Sequence, residues 1–581
     1  MSNSNLGIGW EVGDLSGNVS DSHGCPPENP PTTAASAQGF SQNGQTEPVN
    51  AYLGRSEYLD EELAKKYEAK NCTVSEADMK TLYIHQAFDL PSRSIRSSLI
   101  DSFMITCSPW MPIVDRDSLE ETSECSPSIL LLQAIFLAGN RVRSAPLSYA
   151  SSEDLYRRAK ALLLCGYEKD TMTVIKAICL MQWWNPTGPE HISLDKSSFW
   201  LRTGVGVAFE IGLHREPGPG KDRSLRRRLW WTLFTRDCVI SAGSGRPRTI
   251  NMEDCSVRPV SLDDFAVPDK NAELFVAYVG ICSILGDLTE CCIRNQLSHS
   301  KRVLIETELY RWISCLPSSL QMYRQEGPKI PAPYDSHVWQ LHIIYFTILT
   351  ILYRPTSITR TAGPISLLSS SFVAGIFEDF LVRDDIRFLG PIFSFHLLIA
   401  VMPQLSCHSY PTLRSAAEDE LRIIKMSLHE LGKRWPSAIG PQKVIDSLTD
   451  RLASDPPALN LPNVYISHDQ LIPFSKYGPH YCRKWDLIFK NSDERIREVE
   501  RANPDSFRYA AAATAGEGSS DNGATVRAAK DPSEAIMRDN GQEQAVFDFR
   551  WEDDALYEAD NFLDPVPDWV LQDWRGLDGT N

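Results

Sequence analysis

The sequence predicts an all-α fold, a large multi-helix domain with disordered N- and C-terminal segments. Three observations carry this. Apolar residues recur at helical spacing from about residue 76 to 455, and alternation of the strand type is scarce. The first 50 residues are rich in Ser, Asn, Gly, Pro and Thr, with few large apolar side chains. Such a segment cannot bury enough surface to offset its ordering entropy.

Taken in order, residues 1–50 read as a disordered N-terminus, and 51–74 as a linker in which order begins near Tyr52. The domain then spans 75–455. Leu82, Phe88 and Leu90 precede Pro91, and Ile95, Leu99, Ile100 and Phe103 mark a helix face. Ser128 to Leu137 is almost unbroken apolar helix. Ser152 or Asp154 is expected to cap a helix running through Leu155 to Cys165. Thr171 to Trp184 is a further apolar helix, stopped by Asn185-Pro186. Leu341 to Tyr353 is too short to span a bilayer and reads as a buried helix, so no membrane is expected. No fixed-period repeat is present. Residues 456–502 form a less periodic extension, 503–545 a low-complexity linker, and 546–581 an acidic aromatic tail.

The chain has 581 residues and a net charge of −17, unevenly spread. Residues 1–50 contain five acids and no Lys or Arg; residues 541–581 contain eleven acids and two arginines. The middle is almost neutral. Phosphate-backbone binders need clustered cations, so this distribution argues against a simple nucleic-acid-binding surface. The fourteen cysteines show no CxxC spacing and read as reduced, mostly buried thiols of an intracellular protein. The first 14 residues lack a basic and apolar secretory leader.

An enzyme is not expected. Gly204, Gly206 and Gly212 do not follow a strand, as a dinucleotide loop requires. No phosphate-binding loop of the G-x-x-x-x-G-K-[ST] type and no H-E-x-x-H occurs, and Gly243-Ser244-Gly245 lacks the context of a nucleophile elbow.

The most informative stretch runs from Phe199 to Ile250. One helix, with Gly204 and Gly206 admitting a close neighbour, ends in Gly212-Leu213-His214-Arg215. A second opens near Ser224, carries Arg226, Arg227 and Arg228 before Trp230-Trp231, and ends at Gly245-Arg246-Pro247. Trp230, Phe234, Asp237 and Ser241 share one face of it. A carboxylate on an aromatic face needs a partner, and Arg246 or Arg227 is the expected one for Asp237. The tryptophans are read as core. The arginines are read as pairing with acids or capping helix ends, rather than as a DNA contact or an import signal.

These residues resemble the middle homology region of the fungal-specific transcription factor domain family, of the zinc binuclear cluster regulators. Gly212 to Arg215, Arg227 to Trp231, Asp237, Ser241 and Gly245 to Pro247 match its pattern. Leu341 to Pro355 and Leu431 to Ala438 resemble its later helix and its end, so the likeness spans roughly 75–455. Tyr52 to Ser56 and Trp230-Trp231 with Arg236-Asp237 are most similar to the cutinase and fatty-acid regulators. The resemblance implies an all-α regulatory domain, a nuclear location and regulation of transcription, of a metabolic gene set that is secondary-metabolite or lipid-related. It also implies a six-cysteine zinc cluster. The first two cysteines, Cys25 and Cys72, are too far apart to begin one, so no cofactor and no zinc is expected from this sequence. DNA is then reached directly only through a zinc cluster lying outside the sequence, and otherwise through a related regulator in a homo- or heterodimer. The alternative is a helical scaffold or inhibitor that pairs with full-length zinc-cluster regulators. In the tail, Trp551, Phe562, Leu563, Trp569, Leu571 and Trp574 are interleaved with acids, as expected of an activation segment that offers aromatics to a coactivator or the transcription machinery.

Overall fold

The computed structural model describes Tyr52, residues 74–119, 126–143, 147–189, 191–220, 222–354, 362–454, 463–467, 469–490 and Ser492. The expected disordered segments, the low-complexity linker and the acidic tail with Trp551, Phe562, Leu563, Trp569, Leu571 and Trp574 lie outside the described residues.

Among the described residues the regular structure is helical, with a single isolated bridge between Tyr323 and Pro331. The α-helices are α1 (Glu76–Ile84), α2 (Arg93–Thr106), α3 (Ile129–Arg141), α4 (Ser152–Leu164), α5 (Thr171–Met181), α6 (Ser197–Glu210) and α7 (Arg223–Ser244). They continue as α8 (Lys270–Ile293), α9 (His299–Cys315), α10 (Ser336–Leu352), α11 (Pro364–Val382), α12 (Phe393–Ser406), α13 (Arg414–Gly432) and α14 (Ile439–Ser454). Short 3-10 turns join several of them.

Local sequence sets the helix starts. Ser128 accepts from the Leu131 amide at 3.3 Å, and Asp170 from the Thr173 amide at 2.9 Å. The cap of α4 is Ser151, whose hydroxyl accepts from the Asp154 amide at 3.0 Å; Ser152 and Asp154, the expected caps, sit inside the first turn. Asp154 there returns a carboxylate contact to Ser151 at 2.7 Å.

Helices α2, α4 and α5 pack around α3, and α7 with α8 joins them to a second set, α10 to α14. Both sets belong to one continuous core. Helix α3 is buried from Leu130 to Gly139. At Gly139 an added Cβ would lie 2.2 Å from the Leu99 carbonyl oxygen, so α2 and α3 meet backbone to backbone. Helix α10 is buried at every residue from Val338 to Leu352, as a helix apolar all round must be. Helices α8 and α11 are long and apolar enough to cross a membrane by length and composition. In both, half or more of the apolar window is buried inside the protein. Of the two glycines expected to admit a neighbour in α6, Gly204 lies against Ile178 and Leu233, whereas Gly206 faces open space.

Packing does not stop at residue 455. The Tyr477 hydroxyl lies 2.7 Å from His342 Nδ1, Tyr345 donates to the Pro473 carbonyl at 2.7 Å, and Tyr323 donates to the Gly478 carbonyl at 2.8 Å. Lys484 is fully buried between Gln404 of α12 and Glu420 of α13. These residues have no helical periodicity, so the sequence pattern set them apart from the domain. Their aromatic rings nevertheless fill a slot along α10 and α11.

Candidate functional site

The arginine–tryptophan helix α7 lies at the junction of the two helix sets, and its arginines, Asp237 and Ser241 are all hydrogen-bonded. Gly212 takes a positive φ of 66°, which lets the chain reverse after α6. His214 is buried in a ring cluster with Phe209, Trp230 and Tyr52, at centroid distances of 4.8, 6.1 and 5.0 Å. Burial and the neighbouring Arg215 lower its pKa, which favours the neutral ring. Arg215 Nε donates to the Tyr52 hydroxyl at 3.0 Å, which ties Tyr52 to the motif. Leu213 is buried.

The basic cluster is consumed internally. Arg226 donates to the Ile211 carbonyl at 2.6 Å and thereby closes the C-terminal end of α6. Arg227 pairs with Glu216 and, at 2.9 Å, with Asp264. Hydrogen bonding from Arg227, aided by the Arg258 amide and Arg223, holds the Glu216 carboxyl down at about 2. Arg228 donates to the Pro112 carbonyl at 2.8 Å and pairs with Asp115 at 3.2 Å. Trp230 is fully buried, and Trp231 donates to the Arg258 carbonyl at 2.7 Å. None of these three arginines presents a free charge to a phosphate backbone.

The expected pairing of Asp237 with Arg246 or Arg227 is not what forms. Asp237, 2% exposed, accepts from the backbone amides of Thr249 at 2.9 and 3.0 Å and of Ile250 at 2.8 Å. Burial raises its pKa, and these amides with Arg248 pull it back. The carboxylate thus anchors the irregular segment that follows the helix, because those amides have left the helical ladder and need acceptors. Arg248 pairs instead with Glu290 of α8, and with Asp287 at 3.1 Å. Ser241 donates to the Arg246 carbonyl across the left-handed turn at Gly245, φ 64°. Pro247 is exposed at the end of that turn.

Two motif arginines are used differently. Arg236 donates from Nε to Gln182 at 3.0 Å, and Arg246 donates to the Pro189 carbonyl at 3.2 Å. Both line a cavity of about 110 Å³ between the C-terminal half of α7, the start of α6, the 185–189 loop, the start of α12 and the turn before α14. Burial lowers the pKa of Arg236, which sits among Cys107, Cys179, Tyr278 and Cys282. In the sequence Arg236 stands out only as part of the motif, and the cavity itself has no sequence signal, since residues from five separate segments build it.

A zinc cluster of the implied kind does not fit the described residues. No group of three or more His, Cys, Asp or Glu is arranged there to hold a metal ion. The described cysteines are free thiols, most of them buried, and Cys25, Cys72 and Cys125 are outside the described residues.

Comparison with known proteins agrees with the motif. Residues 100–325 match the family described as Fungal specific transcription factor domain. Cutinase transcription factor 1 alpha of Fusarium vanettenii is 28% identical over 422 residues, covering 63% of this chain and 44% of that protein. The acetamidase regulatory protein of Aspergillus oryzae is 27% identical over 381 residues, covering 61% of this chain and 48% of its own length. Transcription factor cpaR of Aspergillus oryzae is 26% identical over 347 residues, 48% of this chain and 56% of that protein. The chain spans about half the length of the curated relatives it matches. No solved structure matches it. The region that matches the fungal specific transcription factor domain family includes the whole of the Gly212 to Pro247 constellation.

Proposed function

We propose that this chain is a non-catalytic fungal transcriptional regulator, acting in the nucleus on a metabolic gene set that is secondary-metabolite or lipid-related. Its helical domain would serve as the regulatory body and its acidic aromatic tail as the activating segment. The observation that carries this reading is the fate of the basic cluster. Arg226, Arg227 and Arg228 are all engaged by carbonyls and carboxylates of the same chain, so the helical domain is built to hold itself together rather than to grip DNA. Similarity to regulators from Fusarium and Aspergillus supports the same role. DNA contact then falls to a related regulator paired with this chain, or to a zinc cluster outside the sequence.

The tail is tested directly. Residues 541–581, fused to an unrelated DNA-binding domain, should raise a reporter several-fold above the domain alone. Replacing Trp569 and Trp574 with Ala should remove most of that rise, because the aromatics supply the surface a coactivator groove would bury. Absence of activation would sink the activator reading. Repression of a co-expressed zinc-cluster regulator by the full chain would favour an inhibitor instead.

A further inference from the structure

The cavity beside α7 is unlike the rest of the motif region. On this helix Arg227 is neutralised by Glu216 and Asp264 and Arg228 by Asp115, whereas Arg226 donates to a backbone carbonyl. Arg236 and Arg246 make no ion pair among the described residues, and no carboxylate among those residues lines the cavity that both of them face. Glu190, the acid nearest in sequence to the 185–189 loop, lies outside the described residues. Enclosing cationic groups without a counter-charge is costly, and an anion entering the cavity would relieve that cost.

Two further groups point the same way. Thr187 Oγ1 and Ser437 Oγ are buried on the cavity wall, and neither has a hydrogen-bond partner. Buried hydroxyls are nearly always satisfied, so two orphans among the lining residues mark a place where a polar ligand group belongs. The N-terminus of α6 borders the same space; there the Ser197 amide donates to Asn185 Oδ1 at 3.2 Å, and Lys196, a further cation on the lining, donates to the Pro189 carbonyl at 3.3 Å. Val239, Ile240, Phe395 and Leu398 supply apolar lining.

We propose that this cavity binds a small organic carboxylate with a short apolar body. The carboxylate lies against Arg236 and Arg246 and accepts from Thr187 and Ser437. The apolar body lies against Ile240, Phe395 and Leu398. A guanidinium offers paired N–H donors that match the two oxygens of a carboxylate, and the apolar lining rewards a hydrocarbon body over a bare inorganic anion. The cavity sits at the junction of the helix sets, so its occupant would bridge α6 and α7 to α12 and the start of α14. That deepens the regulatory reading above. The test below is a binding measurement, and its outcome is independent of whether the chain activates transcription.

Isothermal titration of the full chain with sodium hexanoate should give saturable 1:1 binding. Hexan-1-ol, which keeps the body and lacks the charge, should bind at least tenfold more weakly, as should inorganic phosphate, which keeps the charge and lacks the body. Arg246→Gln should weaken hexanoate at least tenfold, and Arg246→Lys should recover part of the loss. Ser437→Ala, a milder change that leaves the charges in place, should weaken it several-fold. Circular dichroism of each variant checks that the fold is kept. Absence of saturable hexanoate binding overturns the proposal, and so does equal affinity for hexanol or for phosphate. Unchanged hexanoate affinity in both folded Arg246→Gln and Ser437→Ala overturns it as well.

Discussion

Lys484 and Glu420 form the most deeply buried ion pair described, with side chains 0% and 1% exposed. The ammonium also reaches Gln404, and the carboxylate's second oxygen accepts from Ser371. Changing Lys484 to Met keeps much of the side-chain volume and removes the charge. Glu420 is then left in the core with one hydroxyl donor and no cation. Breaking a buried pair from one side costs about 3–5 kcal/mol, because the remaining charge has lost both solvent and partner. At about 2.1 cal/mol/K of unfolding entropy per residue, a domain of roughly 400 residues loses about 4–6 °C of melting temperature for that energy. Converting Glu420 to Leu in the same chain removes the stranded charge. The double variant should therefore melt above Lys484→Met, with a residual loss of about 1–2 kcal/mol from the orphaned Gln404 and Ser371. Scanning calorimetry on wild type, both single variants and the double variant measures the coupling. A loss below about 1 °C in Lys484→Met, or a double variant at the sum of the singles, would refute the argument.

Gly139→Ala should destabilise by about 1–3 kcal/mol although alanine is the better helix former, since its methyl would meet the rigid Leu99 carbonyl; an unchanged or raised melting temperature would show that α2 and α3 lie further apart. Stability should also fall on mild acidification, before most carboxylates titrate. Burial lowers the pKa of His342 to about 4 and of His396 to about 3, so both stay neutral when folded while the unfolded chain takes up protons below about 6.5. Their contribution is complete above pH ~6.5 and is lost as pH falls towards those folded values, at about 1.4 kcal/mol per pH unit for each histidine. Melting temperatures from pH 7.5 to 5 check this: His342→Asn and His396→Asn should each flatten the slope, and a flat wild-type profile would contradict it.

Much of the fold is legible in the sequence because a helix announces its own burial. Ile95, Leu99 and Phe103 mark the buried face of α2, and the unbroken apolar runs of α3 and α10 could only be interior helices. Capping chemistry is legible to within a residue, and the shift from Ser152 to Ser151 is of that size. The extension beyond 455 was less legible. Tyr477, Tyr481 and Trp485 enter the core from irregular backbone, and periodicity is silent there.

The sequence by itself determined the helical class, the order of the helices and the motif that resembles the family. Each of these rests on residues close together in the chain. It could also say that Arg226 to Arg228 and Asp237 needed partners. Only the tertiary structure decided which. Arg227 found Asp264, Asp237 found the amides of Thr249 and Ile250, Lys484 found Glu420, and Arg236 and Arg246 were left facing a cavity. A side chain's pattern reports whether it is buried, but the charge that answers it arrives from wherever packing brings another segment. In a domain of fourteen described helices that segment is seldom a sequence neighbour.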